Sequence, residues 1–297
     1  MVHYASNLRR RARRLGWWAR AAVNPAVLRG GRVVPTFWWD GHPNFGDAMT
    51  PWLLPHYGLV PVHTPWGHAQ FAGVGSILEF LPPHFRGAVW GSGLLSGKPH
   101  PLPDAELLAV RGPMTLELIG GSGNVAFGDP GILVSRHQRR VRPRVELIIA
   151  PHGHHRAHEG LARLAASAPR RVQLVSVNRD TPAVVAKLAA ASTILTTSLH
   201  GLITADALGI PALWTSLHPP LEGGDFKFRD YEAVITPGRT RYVAFDEVAT
   251  VDDVVSRART VDPDAVDRTC DGLERVLGGW LDRQHDLRRF PVGLLAR

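Results

Sequence analysis

Residues 192–214, STILTTSLHGLITADALGIPALW, constrain the fold of this chain more than any other stretch. The segment begins with β-branched and apolar residues, which favour an extended strand because they pack well on a pleated surface. From Leu202 onwards apolar residues recur at helical spacing, and Gly209 with Pro211 ends that helix. The residues after it predict another strand. The segment therefore predicts a βαβ unit, in which His200 lies at the junction of the first strand and the helix.

The position of His200 at this junction is typical of a residue that binds a ligand or takes part in catalysis. In open α/β sheets, ligands bind at the edge where strands end and helices begin. The first turn of a helix also attracts anions through its free N–H groups and its partial positive charge. An imidazole beside such a site is suited to acid–base chemistry on a phosphorylated or carboxylated substrate. A histidine that caps the helix or is buried in the core gives the same pattern, so position alone leaves both roles open.

Polar residues of a similar kind follow the predicted first strand. Residues 32–39 predict that strand, and the Gly- and Pro-marked loop after it holds Asn44 and Asp47. A helix is predicted directly after the loop, over residues 48–57. Asn44 and Asp47 are therefore candidates for ligand binding, although capping of the helix is the simpler role for Asp47.

Two further strand ends carry charged residues. Arg111 ends a predicted strand over residues 107–110, and Pro113 fits the first turn of the helix after it. A guanidinium there can grip a carboxylate or phosphate, or form an ordinary surface salt bridge. Asp129, in the sequence FGDPG, places a carboxylate at another strand-to-loop switch.

The second half of the chain adds histidines and cations. Residues 151–158, PHGHHRAH, include His152, and imidazoles are common metal ligands. No Cys, Asp or Glu follows at ligand spacing, so we predict no metal site. Lys227 and Arg229 alternate with aromatic residues in FKFRDY. Both cations could point one way at an anion, or the pattern could arise from ordinary helix packing.

The length of 297 residues and the order of the predicted elements indicate two α/β halves, with a cleft between their strand-end loops. Residues 135–144 are basic and polar and predict a linker. The predicted segments are a basic N-terminal arm (1–32), an N-terminal domain (33–140), a C-terminal domain (145–245) and a C-terminal helical segment (246–297). The single cysteine, Cys270, excludes an internal disulfide framework and indicates a reducing compartment.

The positive charge of the chain is concentrated in the arm. Residues 1–32 hold eight arginines and no acid, which leaves 26 basic and 26 acidic residues in the rest. The arm lacks the apolar stretch of a signal peptide, and no run of about 18 apolar residues spans a bilayer. With Trp17 and Trp18 beside the arginines, the arm is either a segment lying on an anionic membrane or a solvated basic tail. No later basic face is interleaved with aromatics, so no nucleic-acid partner is expected. The expected location is cytoplasmic, with peripheral contact at the inner membrane face.

Eight motifs occur in an order that resembles the polysaccharide pyruvyl transferase family. In this chain, within about residues 33–235, they read NFGDAMTPWLL, GVGSIL, VWGSGLL, AVRGPMT, FGDPGILV, APHGH, TSLHGLITADALGIPALW and KFRDY. The resemblance implies two Rossmann-like domains in a glycosyltransferase-B-like arrangement, with the active site in the cleft between them. It implies phosphoenolpyruvate as a co-substrate, with no further cofactor. Pyruvate is transferred to two sugar hydroxyls as a ketal, and phosphate is released.

The resemblance also assigns roles to individual residues. His200 matches the family histidine that acts as general acid, and Arg111 matches an arginine associated with the donor. The family's usual Arg-Leu-His-Gly reads Ser198-Leu-His-Gly201 here, so a donor-binding arginine is replaced by serine. We expect Lys227 or Arg229 to supply the missing cation. The reaction also needs a base for the hydroxyls; Asp47 and Asp129 are both candidates, and either carboxylate could instead be structural.

The remaining roles and the rival functions follow from the same motifs. Asn44, Asp129 and His152 are expected at the acceptor or along the cleft. The acceptor implied by the resemblance is a sugar unit of a polysaccharide or of a lipid-linked precursor. The alternatives are a nucleotide-sugar-dependent glycosyltransferase of the same fold, or a degenerate glycan-binding protein in which Ser198 marks lost catalysis.

Overall fold

The computed structural model describes residues 2–291, with side chains from residue 7 onwards. The first residue of the predicted arm and residues 292–297 of the predicted C-terminal segment therefore lie outside the described part. The fold is α/β, with two sheets whose strands are parallel apart from one short strand at the end of the chain. The strands are β1 Gly31–Phe37, β2 Leu59–His63, β3 Phe71–Ala72, β4 Ala88–Ser92, β5 Glu106–Val110, β6 Ala126–Phe127, β7 Val145–Ala150, β8 Val172–Leu174, β9 Ala191–Thr196, β10 Ala212–Trp214 and β11 Arg289–Phe290.

Helices cover these sheets and join their strands. They are α1 Val2–Ala22, α2 Pro25–Leu28, α3 Met49–Leu53, α4 Pro113–Leu118, α5 Val134–His137, α6 Glu159–Ser167, α7 Thr181–Leu188, α8 Leu199–Ala207, α9 Phe226–Ile235, α10 Val251–Arg257 and α11 Pro263–Arg283. The predicted helix over residues 48–57 is α3 followed by a 3-10 turn, Leu54–Tyr57. No helix in the described range 2–291 is long and apolar enough to cross a membrane.

The first sheet has the order β11-β1-β3-β4-β5-β6, with β2 paired to β1. Only β11 runs antiparallel, and it brings the end of the chain back to β1. The sequence analysis missed β2, because Pro61 lies in its middle. Proline is tolerated there since β2 pairs with one neighbour alone, and an edge strand does not need every N–H.

The second sheet has the order β10-β9-β7-β8 and is wholly parallel. Its central strands are buried apolar runs, as expected where helices cover both faces of a parallel sheet. The predicted βαβ unit is confirmed as β9, α8 and β10. Gly209 follows α8 with a φ of 62°, a left-handed conformation that suits glycine at a helix end.

Apolar packing connects the two sheets. One buried cluster contains residues of the first sheet, such as Trp90, together with Ile148 and Ile194 of the second. Two helices were predicted after residue 252, and α10 and α11 confirm them. The second of these, α11, packs on the first sheet, where Trp90 Nε1 donates to the Leu273 carbonyl at 3.0 Å. The predicted domain boundaries stay a prediction.

Candidate active site

A cleft of about 500 Å³ is lined by loops that follow strands of both sheets. Because parallel strands end at one edge of a sheet, the loops after β1 and β3 meet those after β7 and β9. The lining residues from the first half are Trp39, His42, Asn44, Asp47, Ser76, Ile77, Glu79, Phe80 and Leu95, and those from the second half are His152, His154, Ser198, Leu199, His200, Leu221, Glu222 and Lys227. Of the ten residues predicted for the site, six line this cleft: Asn44, Asp47, His152, Ser198, His200 and Lys227.

His200 is the second residue of α8, and only 7% of it is exposed. Its Nε2 lies 3.6 Å from Oδ2 of Asp129. Within the described residues neither atom has a hydrogen-bond partner, and both are buried. The arrangement therefore places a carboxylate beside the ring of His200, where it can orient the imidazole.

Asp129 lies behind the histidine rather than on the cleft surface, where the sequence analysis expected it. Its side chain is fully buried, and Oδ1 accepts from the N–H of Gly131 at 2.8 Å. This bond caps the 3-10 turn Pro130–Leu133 and fixes the carboxylate. Oδ2 is left to face His200. Asp129 can thus orient the catalytic candidate but has no access to an acceptor.

Gly46 is a site residue that the sequence analysis did not single out, although it stands in the NFGD motif. A Cβ built on Gly46 would lie 2.1 Å from Nδ1 of His200 and 2.4 Å from its Cγ. The loop after β1 therefore passes directly against the imidazole ring, and only a residue without a side chain fits there. The requirement for glycine arises from contact with a histidine 154 positions later, which no local pattern indicates.

Asp47 is a buried carboxyl at the same cleft. Burial raises its pKa from 3.8 to about 6, while the charges of His200 and Lys227 and a hydrogen bond from Asn44 oppose this rise. Asn44 Nδ2 donates to Oδ2 of Asp47 at 2.6 Å. The pair Asn44–Asp47 is therefore held together at the cleft, and Asp47 titrates in a range useful to a general base.

Lys227 and Arg229 lie on different faces of α9, so of the two alternatives left open for this segment, ordinary helix packing explains the alternation. Residues two apart on a helix are separated by about 200° around its axis. Lys227 lines the cleft and is only 7% exposed, whereas the Arg229 side chain is 67% exposed and pairs with Asp225. Of the two candidates for the missing cation, only Lys227 is at the cleft.

The ammonium of Lys227 has no carboxylate in direct contact. No carboxylate of residues 7–291 lies within 4.0 Å of it, and it makes no hydrogen bond to any of them. Burial and the charge of Arg111 lower its pKa from 10.5 to about 8, although the charges of Asp47 and Glu222 act in the opposite direction. A buried cation without a partner is unfavourable in the free protein. It is therefore positioned to receive an anionic ligand.

Arg111 is enclosed within the protein, where it cannot grip a ligand directly. Its side chain is fully buried, Nε donates to Oδ2 of Asp230 at 3.0 Å, and Nη2 donates to the Leu94 carbonyl at 2.6 Å. Nη1 donates to Oγ of Ser76, whose side chain lines the cleft. Since Asp230 belongs to α9, Arg111 ties the helix that carries Lys227 to the end of β5. From the sequence, Arg111 was expected either to bind an anion directly or to form a surface salt bridge. Neither expectation describes its buried ion pair with Asp230.

The glycines of two motifs make room for the buried pair. A Cβ on Gly93, in VWGSG, would lie 2.3 Å from the guanidinium carbon of Arg111. A Cβ on Gly112 would lie 2.0 Å from the carbonyl oxygen of Asp230. The motifs show these glycines in the sequence. Glycine is needed at both positions because of the contact between Arg111 and Asp230, which are 119 positions apart.

Ser198 and Gly201 flank the histidine with different roles. Ser198 lines the cleft at the N-cap position of α8, and its side chain makes no capping hydrogen bond. The first N–H groups of α8 have no acceptor within the helix and are available to an anion. Gly201 does not line the cleft. A Cβ there would lie 2.5 Å from Oγ1 of Thr196, so Gly201 lets α8 pack closely on β9.

His152 lines the cleft as a neutral imidazole. Burial, with the charge of Lys227 nearby, lowers its pKa to about 3. Its backbone N–H donates to Oγ1 of Thr197 at 2.8 Å, which ties the loop after β7 to the end of β9. In residues 2–291, no group of three or more His, Cys, Asp or Glu side chains is arranged to hold a metal ion. His152 therefore contributes a neutral polar group to the cleft.

The opposite wall of the cleft is apolar and was not predicted. The rings of Trp39 and Phe80 stack with centroids 5.0 Å apart and an angle of 22°. Glu79 lies beside them and accepts from the N–H and Oγ of Ser96 at 2.8 and 2.7 Å. An aromatic wall opposite polar groups is typical of sites that bind sugars or other ligands with one apolar face.

A second cleft of about 800 Å³ lies next to β10 and contains neither His200 nor Asp47. It is lined by Trp214, Tyr242, Arg229 and Arg239 among others. Although it is larger, it lacks the unpaired cation and the histidine–carboxylate pair. The cleft at His200 is therefore the better candidate for chemistry.

The chain is similar to curated proteins only at a distance. It is 27% identical over 212 residues to the succinoglycan biosynthesis protein ExoV of Rhizobium meliloti (strain 1021), with 66% of this chain and 63% of that protein covered. It is 29% identical over 184 residues to the uncharacterized protein L143 of Acanthamoeba polyphaga mimivirus, with 59% and 62% covered. The matched regions thus span less than two thirds of the length of these relatives. No family model and no solved structure matches the chain.

Proposed function

We propose that this protein transfers pyruvate from phosphoenolpyruvate to two hydroxyls of a sugar in a polysaccharide or a lipid-linked glycan precursor. The observation that carries the proposal is the unpaired, buried ammonium of Lys227 in the same cleft as His200. An anionic donor is the ligand that such a site requires. The similarity to a succinoglycan biosynthesis protein supports a role in exopolysaccharide biosynthesis.

The donor binds between Lys227 and the start of α8. A phosphate ester carries about −1.5 to −2 charges at pH 7, and the carboxylate of the donor adds another. Lys227 neutralises part of this charge, and the free N–H groups of the first turn of α8 donate hydrogen bonds to the anion. In this proposal Ser198, at the N-cap, leaves space for the donor where the resembling family carries an arginine. Arg111 acts indirectly, because it holds α9 and Ser76 in place.

His200 is the acid in the proposed reaction. It gives its proton to the methylene carbon of phosphoenolpyruvate, so that the adjacent carbon becomes an oxocarbenium-like electrophile. Asp129, whose Oδ2 lies 3.6 Å from Nε2, orients the imidazole ring. General acids of this kind contribute about 10²–10⁴-fold to a rate.

The acceptor sugar supplies the two hydroxyls that form the ketal. One hydroxyl attacks the electrophilic carbon, and Asp47 in its ionised form takes the hydroxyl proton. The bond between that carbon and the phosphate oxygen breaks as Asp47 passes its proton to the departing oxygen, which releases inorganic phosphate. A second hydroxyl then attacks the same carbon and gives its proton to His200, which completes the cyclic ketal and restores the acid. The stacked Trp39 and Phe80 offer an apolar wall for the sugar ring.

The two sheets belong, in this proposal, to two Rossmann-like domains arranged as in glycosyltransferases of the B type. Loops from both halves line the cleft, which is what such an arrangement requires. One observation favours a second candidate, a nucleotide-sugar-dependent glycosyltransferase. The cleft of about 800 Å³ beside β10 has room for a nucleotide and is lined by Trp214 and Arg239. That candidate gives no role to the unpaired ammonium of Lys227.

Phosphate release tests the proposal. The purified chain is incubated with phosphoenolpyruvate and a panel of soluble and lipid-linked glycans, and inorganic phosphate is measured. We expect release that depends on the acceptor and that falls at least 100-fold in His200→Ala. His218→Ala, in a loop outside this cleft, is the control and keeps its activity. Turnover with nucleotide sugars but not with phosphoenolpyruvate would support the second candidate, and binding of glycans without any turnover would exclude both.

A further inference from the structure

The N-terminal helix α1 presents an apolar face to solvent. Leu8, Leu15 and Trp18 are 54%, 67% and 43% exposed, and Val23 just after the helix is 71% exposed. Spacings of seven and ten residues place Leu15 and Trp18 on the same face as Leu8. Five of the thirteen exposed large apolar residues in the described chain lie within residues 7–28, which also include Leu28. This concentration marks an interaction surface.

The arginines of α1 divide between two faces. Arg14 pairs with Asp40 at 2.6 Å and Arg20 with Asp180 at 2.8 Å, and Trp17 and Ala21 are buried beneath the helix. These contacts hold α1 on the body of the protein. Arg9 and Arg11 are exposed, and within residues 7–291 neither has a carboxylate in ion-pair distance. Arg14 and Arg20 therefore hold the helix on the protein, whereas Arg9 and Arg11 have no ion-pair partner within residues 7–291.

We propose that the outer face of α1 binds the surface of an anionic lipid bilayer. A helix with exposed leucines and a tryptophan beside unpaired arginines lies in the interface, with its apolar side about 5–10 Å deep. Free arginines are attracted to anionic headgroups. Nucleic acid offers no apolar layer for Leu8 and Leu15. A second copy of the chain would bring equally charged helices together.

The inner face of α1 connects this surface to the site. A cavity of about 390 Å³ is lined by Arg13 and Trp17 of α1 and by Trp39, His42 and Asn44. The last three residues also line the cleft at His200. The helix thus lies between the bilayer and a cavity that adjoins the cleft. This part of the inference rests on the proposed function, and it predicts that acceptors held in a membrane reach the site from this side.

Vesicle binding tests the inference without turnover. The full chain is sedimented with vesicles of phosphatidylcholine alone or mixed with phosphatidylglycerol, at low and high salt. We expect binding to the mixed vesicles only, weakened by salt because screening shortens the reach of charges. The double change Arg9→Ser/Arg11→Ser should weaken binding by about thirtyfold, if each cation contributes about 1 kcal/mol. Leu8→Asp/Leu15→Asp should abolish it.

Matched variants keep this test decisive. Leu174→Asp and Val255→Asp change residues of similar exposure away from α1, 41% and 37%, and should bind like the unchanged protein. Thermal unfolding of every variant checks that the fold is retained. The inference is overturned if mixed vesicles fail to bind at low salt, if the α1 and control variants behave alike, or if DNA binds while vesicles do not. A protein that binds vesicles but does not use phosphoenolpyruvate would refute the proposed function alone.

Discussion

Replacing Lys227 with methionine should stabilise the free protein while it removes the donor site. Burial lowers the pKa of Lys227 from 10.5 to about 8. At about 1.4 kcal/mol per pKa unit, keeping this ammonium charged costs the folded state about 3 kcal/mol. Methionine has a similar shape and no charge, so Lys227→Met recovers most of that free energy.

The expected gain can be measured as a melting temperature. Proteins gain about 2.1 cal/mol/K of unfolding entropy per residue, which gives about 0.6 kcal/mol/K for 297 residues. A gain of about 3 kcal/mol therefore raises the melting temperature by about 5 °C at pH 7. Lys187→Met, on an exposed position of α7, is the control and should change it little.

The pH dependence of the gain follows from the direction of the pKa change. In the folded state Lys227 loses its proton near pH 8, whereas in the unfolded state it keeps it to about 10.5. The unfavourable term is thus complete below about pH 8 and disappears as the pH rises to 10.5. The difference in melting temperature between Lys227→Met and the unchanged protein should therefore shrink above pH 8.

Adding phosphoenolpyruvate distinguishes the role of the Lys227 charge in ligand binding from its effect on the stability of the free protein. At 100 times its dissociation constant, a ligand stabilises the folded state by about 2.7 kcal/mol. It should do so in the unchanged protein and in Lys187→Met, but not in Lys227→Met at the same concentration. The reasoning is refuted if Lys227→Met is no more stable than the unchanged protein at pH 7. It is refuted equally if phosphoenolpyruvate stabilises both to the same extent.

Three further predictions concern the groups around the histidine. Gly46→Ala should lower kcat at least tenfold and destabilise the fold by about 1–3 kcal/mol, because its Cβ would stand 2.1 Å from Nδ1 of His200; a kcat equal to that of the unchanged protein would contradict the contact. Asp129→Asn removes the carboxylate that faces Nε2 of His200, so kcat should fall at least tenfold, and an unchanged kcat would exclude Asp129 as a positioning residue. The ascending limb of kcat/KM should lie near pH 6, where Asp47 ionises, and should move to higher pH in Asn44→Ala, since that variant removes a hydrogen bond that lowers the pKa of Asp47. Because the folded state keeps the Asp47 proton up to about pH 6, its contribution to stability should fall as the pH rises from about 4 to 6.

Local patterns were enough to predict the elements around His200. The β-branched run, the helical spacing and the final Gly209 all describe β9, α8 and β10, because each signal acts over a few residues. The position of His200 at the cleft followed from the rule that parallel strands end at one edge.

Other features depend on contacts across the chain, and the sequence does not indicate them. Arg111 and Asp230 are 119 residues apart, so their buried pair could not be distinguished from a surface salt bridge. Asp129 was expected at the cleft because a strand-end carboxylate looks the same whether it faces inward or outward. The alternation in FKFRDY suggested cations on one side, but α9 turns Arg229 away from Lys227.

The most direct test of the proposed reaction is to follow the carbon atoms of the donor. The protein is incubated with ¹³C-labelled phosphoenolpyruvate and candidate glycans, and the products are analysed by mass spectrometry and NMR. We expect labelled pyruvate on the acceptor as a ketal joined to two oxygens of one sugar, with one phosphate released per pyruvate transferred. A labelled donor that stays intact in the presence of every acceptor, or phosphate release with no label on the glycan, would contradict the account.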